Sequence, residues 1–109
     1  MTAAIQPFRV AIDATTSSYL GIDRSTTTSA VSQTLMAARP GRAYLIIKND
    51  TVVDQYINLG GLAVATPGGG NYKIAAGGFF DLRGYNGSID IISSGVAAAI
   101  SAREFNAVL

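Results

Sequence analysis

The stretch "RAYLIIKNDTVVDQYINL", residues 42–59, decides the fold. Two runs rich in β-branched and aromatic residues, Ala43 to Asn49 and Val53 to Leu59, flank the polar turn Asn49-Asp50-Thr51 and read as a β-hairpin. In the second run Val53, Ile57 and Leu59 share one parity and Asp54, Tyr56 and Asn58 the other. Gln55 interrupts the apolar set. This alternation is expected of a strand with one buried face and one wet face.

Towards the C-terminus the pattern repeats. "NYKIA" (71–75) and "GFFDL" (78–82) read as strands joined through Ala76-Gly77. "SIDII" (88–92) and "VAAAISARE" (96–104) form a further hairpin across Ser93-Ser94-Gly95. Alanines favour helix, but the short length of the last segment and the turn before it favour a strand with small side chains. Asn86-Gly87 suits a two-residue hairpin loop leading from the Phe79–Tyr85 region to Ser88, with a wider loop through Gly84 as the alternative. Several short strands in quick succession predict an all-β chain, a small antiparallel β-sandwich or barrel.

The N-terminal part differs. "FRVAI" (8–12) and "VSQTLMAA" (31–38) are expected strands, but "DATTSSYLGIDRSTTTSA" (13–30) is rich in Ser and Thr and reads as a long loop or an arm. Either it is an ordinary surface loop or it orders on a partner, with Tyr19, Leu20, Ile22 and Arg24 as anchors. The chain is one domain, 1–109, with 1–30 as possible arm and 31–109 as body; Arg39-Pro40-Gly41-Arg42 turns sharply into the strand-rich part.

Composition narrows the function. With 49% hydrophobic and 14% charged residues, a domain of this size has few charges to cover its surface, so some apolar surface is expected to meet a partner. A net charge of +1 without a basic run argues against nucleic acid. The longest apolar run, Val96 to Ile100, falls far short of the roughly 18 residues of a membrane span, and Gln6, Pro7 and Arg9 interrupt any leader-like stretch. A soluble protein with neither membrane nor nucleic-acid partner is expected.

The chain has no His and no Cys. That removes the usual catalytic base, thiol nucleophiles and the common zinc ligands together. Asp81 and Asp90 lie in neighbouring predicted strands, but nothing places them as a glycosidase pair, and solvent-facing roles suit them better. Asp50 and Asp54 match no calcium-loop spacing. No catalytic residue, metal or cofactor is expected.

In "TPGGGNYKIAAGGFF" (66–80) the glycine run precedes Lys73, yet Ile74 follows where a phosphate loop needs Ser or Thr, and "YKIA" reads as strand where that loop needs a helix. The glycines bend the chain. Phe79 and Phe80 are adjacent and therefore point to opposite faces. One enters the core; the other is covered by a subunit, a ligand or the arm, unless the strand is buried on both faces within one subunit. Phe79 and Phe80 are thus the second candidate contact.

Arg42, Leu45 to Ile47, Asn49, Tyr56 to Asn58, Ile74 and Gly77-Gly78, in that order, resemble the pattern of small β-sandwich structural proteins of tailed bacteriophages, particularly capsid decoration or cement proteins. The resemblance covers roughly Arg42 to Glu104. It implies a virion protein without catalytic activity, made in the bacterial host cytoplasm, that binds the major capsid protein on an assembled phage head, often as a homotrimer. The alternative is a receptor- or carbohydrate-binding β-sandwich of a tail or fibre, with Tyr19, Tyr56, Tyr72 and Tyr85 available to stack on sugars.

Overall fold

The computed structural model describes residues 19–66 and 71–107. The strand expected over Phe8–Ile12, the earlier part of the arm and the glycines of 67–70 lie outside these residues. The architecture is all-β: two antiparallel sheets pack together as a small sandwich. Its strands are β1 (Tyr19–Asp23), β2 (Thr26–Thr28), β3 (Gln33–Met36), β4 (Arg42–Lys48), β5 (Gln55–Leu59), β6 (Asn71–Ile74), β7 (Phe79–Arg83), β8 (Ile89–Ser93) and β9 (Ala98–Ala107). The alanine-rich C-terminal segment is therefore strand.

One sheet has the order β1-β9-β4-β7, with β2 also pairing with β9; the other has the order β3-β8-β5-β6. Inward parity supplies the core. Leu45 and Ile47 of β4, Ile57 of β5, Ile74 of β6, Ile89 and Ile91 of β8 and Ile100 and Ala102 of β9 pack with Leu35 and Met36, while Phe80, Leu82 and Tyr85 close its margin. Each fully buried Leu, Ile or Met side chain among these contributes about 1.5–3 kcal/mol relative to exposure.

From residue 31 onward the strands fall close to where the residue pattern predicts them, but their pairing differs. Residues 42–59 do not form a hairpin: β4 lies in the first sheet and β5 in the second. Asn49 is the cause. Its side chain is fully buried, and its Nδ2 donates to the carbonyls of Val53 and Ile74. Backbone bonds from Asn49 N–H to Gly78 O and from Gly77 N–H to Asn49 O tie it to the next turn. The polar residue that reads as a turn tip is thus an internal clamp on a crossing between sheets.

The same correction holds elsewhere. β6 and β7 lie in different sheets, and so do β8 and β9, so Ser93-Ser94-Gly95 does not close a hairpin. Asn86-Gly87 is not a two-residue loop either. The chain leaves β7 through Gly84, whose φ of +79° only glycine adopts readily, and crosses to β8. β5 and β6 are sequence neighbours that do pair directly.

Two further expectations change. Tyr56, assigned to a wet face, is buried with Ile92 and Ala63, because residues of the β5–β6 connection cover the outer face of the second sheet. Part of the supposed loop or arm is sheet: β1 pairs with residues 103–107 of β9 and β2 with residues 98–100. Between them Arg24 N–H donates to Ala102 O and Ala102 N–H to Ser25 Oγ, so β9 holds the segment across the break. Backbone pairing to a long strand substitutes for the missing large apolar side chains.

Candidate functional site

The outer face of the first sheet has no covering segment among the described residues. Register alone assembles it. Tyr44, Ile46 and Lys48 of β4 stand opposite Phe105, Arg103 and Ser101 of β9, and opposite Arg83, Asp81 and Phe79 of β7. Because strand side chains alternate, each of these residues points away from the core.

Aromatic rings and guanidinium groups interleave on this face. The Tyr44 and Phe105 rings lie 5.7 Å apart, Arg83 sits 4.9 Å from the Tyr44 centroid and Arg103 sits 5.9 Å from that of Phe105. Such contacts fix long side chains and lower the entropy lost when a partner binds. Gly21 assists: a Cβ there would fall 2.6 Å from Arg103 Nε, so the absent side chain leaves room for the guanidinium.

The face is polar at its margins. Tyr44 Oη donates to Asp81 Oδ2 at 3.0 Å, and this hydrogen bond raises the phenol above its ordinary value. Ser25 N–H donates to Asp23 Oδ1, and that bond holds the Asp23 carboxyl below its usual range. Lys48 Nζ donates to Gly77 O at 2.8 Å. Between them lies an open groove of about 230 Å³ lined by Asp23, Ser25, Ile46, Lys48, Ser101, Ala102 and Arg103. Pockets for small ligands run from about 300 Å³ upward. This groove suits one or two protruding side chains of a partner.

The predicted contact residues are not gathered at one place. Phe79 lies on this face and is 63% exposed. Phe80 turns inward against the core and meets the Tyr72 ring at 5.8 Å. Tyr19, Leu20 and Ile22 belong to β1, at the opposite edge of the same sheet, where their backbones pair with Ala107, Asn106 and Glu104. Ile22 is half-buried. Arg24 donates from Nε to Glu104 Oε2 at 2.6 Å.

Glu104 is 1% exposed and sits on the inner parity of β9 with Ile100 and Ala102. Arg42 Nε donates to its Oε1 at 2.7 Å, and Arg24 and Arg39 donate to its Oε2. Burial pushes this carboxyl up, but the hydrogen bonds and charges of Arg42 and Arg24 outweigh that and hold it below the ordinary glutamate value. The sequence carried the signal: a glutamate on the apolar parity of a strand requires a buried cationic partner.

Other candidate chemistry disperses. Asp81 and Asp90 stand on the outer faces of different sheets. Tyr56 is buried and Tyr85 Oη donates to Ser88 O, so of the tyrosines considered for sugar stacking Tyr72, 51% exposed, is the one described as open to solvent. Among the described residues no three His, Cys, Asp or Glu side chains converge as metal ligands, and no helix is long and apolar enough to cross a membrane. The chain matches no protein-family model, no curated protein and no solved structure.

Proposed function

We propose that the chain is a virion structural protein that binds the assembled surface of a phage capsid as a decoration protein. The observation that carries this reading is the outer face of the first sheet, where Phe79, Ile46 and the Tyr44–Phe105 pair lie among fixed guanidinium groups. Mixed aromatic and arginine surfaces are the composition enriched at protein–protein contacts. The resemblance over Arg42 to Glu104 supplies the kind of partner: the major capsid protein of a phage head.

Physically the reading suits a small domain. A contact of standard size buries about 800 Å² on each partner, within reach of one sheet face. Association as a homotrimer over repeated capsid subunits raises the effective concentration of each contact, so a modest interface suffices for durable attachment.

Addition of purified, labelled chain to undecorated heads tests this. Saturable binding at a fixed ratio to capsid subunits is expected, with at least tenfold weaker binding of Phe79→Asp at unchanged circular dichroism. Absent or non-saturable binding, or undiminished binding of a variant changed at Phe79, Ile46 and Phe105 together, would overturn the proposal.

A further inference from the structure

The fold demands glycine at residue 87. A Cβ there would stand 2.5 Å from Tyr85 Oη, and that hydroxyl is committed to Ser88 O. The residue before it is Asn86, exposed on the crossing from β7 to β8. Its Nδ2 reaches Pro40 O at 3.5 Å, a length at which a hydrogen bond holds little. Among the described residues no acceptor takes the Gly87 N–H. An unshielded backbone nitrogen thus lies next in the chain to an amide carbon that solvent reaches.

No other asparagine has this setting. Asn49 is fully buried, with both ends of its amide hydrogen-bonded. Asn58, Asn71 and Asn106 lie in β5, β6 and β9 and precede Leu59, Tyr72 and Ala107, whose side chains crowd the nitrogen that would have to react. The Asn86-Gly87 link is also tied to the body. Arg39 N–H donates to Asn86 O at 2.8 Å, and Arg42 Nη1 donates to Gly87 O at 2.8 Å. Arg42 is fully buried, so Gly87 O helps satisfy a charge with no water around it.

We infer that Asn86-Gly87 is a site of spontaneous deamidation, and that its isoaspartyl product withdraws Gly87 O from Arg42. The Gly87 nitrogen, its proton lost to hydroxide, attacks Asn86 Cγ. The Cγ–Nδ2 bond breaks and ammonia leaves, closing a five-membered cyclic imide. Water then opens the ring at either carbonyl. Opening at Cγ leaves aspartate with the original backbone. Opening at the backbone carbonyl leaves isoaspartate, with the chain running through Cγ and longer by one carbon. In sum, an amide and water become a carboxylate and ammonium. The inserted carbon displaces residue 87 from Arg42, and the carbonyl that Arg39 N–H holds becomes part of a free carboxylate. This chemistry needs no partner and is independent of the proposed capsid role.

Incubation of the protein in warm, mildly alkaline buffer, followed by tryptic digestion and mass spectrometry, tests the site. Cleavage after Arg83 and Arg103 isolates residues 84–103, in which Asn86 is the one asparagine. That peptide is expected to give two products of equal mass, the aspartyl and isoaspartyl forms, at least tenfold faster than conversion at Asn49, Asn58, Asn71 or Asn106. Conversion of Asn86 no faster than theirs, or to aspartate alone, overturns the site. For the effect on Arg42, the acidic fraction separated by ion exchange should unfold in urea about 1 M below fresh protein. Freshly made Asn86→Asp, which carries the new charge on an unaltered backbone, should stay within about 0.3 M of it. Asn86→Gln, whose longer side chain closes a ring far more slowly, should keep its midpoint through the same incubation. An acidic fraction as stable as Asn86→Asp, or an equal loss in incubated Asn86→Gln, overturns the effect on Arg42.

Discussion

Replacing Glu104 with Gln removes the anion on which three arginines converge and leaves fully buried Arg42 without its counter-charge. Breaking a buried pair by deleting one partner costs about 3–5 kcal/mol. The exposed contributions of Arg24 and Arg39 add little, since partly solvated pairs contribute about 0–1 kcal/mol each. In urea, with a slope of about 1.5 kcal/mol per molar for a domain of this size, the midpoint should fall by roughly 2–3 M. Arg39→Gln, by contrast, should move it by less than about 0.7 M.

Acid supplies a second arm of the same test. The Glu104 carboxyl is held below its ordinary value in the folded state. Its stabilising contribution is therefore complete above the unfolded value of about 4.3 and is lost as pH falls through the lower folded value. The gap between wild type and Glu104→Gln should be full at pH 7 and narrow below about pH 4. A midpoint within about 0.5 M of wild type at pH 7, or a gap that stays constant into acid, would refute the reasoning.

Gln55 is fully buried and accepts from Thr28 Oγ1, yet among the described residues its Nε2 has no hydrogen-bond partner; Gln55→Met, similar in volume, should be neutral or stabilising by about 1 kcal/mol in urea melts, and a loss above about 2 kcal/mol would show that the amide is satisfied. At Gly84 the φ of +79° penalises any side chain although a Cβ would meet nothing, so Gly84→Ala should cost about 1–2 kcal/mol, readable as a lower thermal midpoint. Asp81→Asn should return the Tyr44 phenol towards its ordinary value in a spectrophotometric titration, because the hydrogen bond to Asp81 is the main cause of the rise; an unchanged Tyr44 titration would contradict that cause.

The strands from residue 42 onward were legible because β-branched and aromatic residues cluster between turn residues, as in 42–48 and 89–93. Their pairing was not. Asn49-Asp50-Thr51 and Asn86-Gly87 have the chemistry of hairpin turns, and only the long-range bonds of Asn49 and of Arg42 to Gly87 O show the crossings. β1 and β2 were illegible for another reason: a segment such as Thr26–Thr28 gains its strand conformation from β9 more than from its own side chains. Of the candidate face, Phe79 was visible as half of an adjacent aromatic pair. Tyr44, Arg83, Arg103 and Phe105 meet through register across three strands, which local pattern does not encode.

The most direct test of the docking claim is imaging by electron cryomicroscopy of undecorated phage heads saturated with purified protein. The account predicts density for the sandwich with β4, β7 and β9 turned towards the shell and Phe79 at the contact. Bound density with the second sheet and its covering connection against the shell would contradict it, as would bare heads at saturating protein.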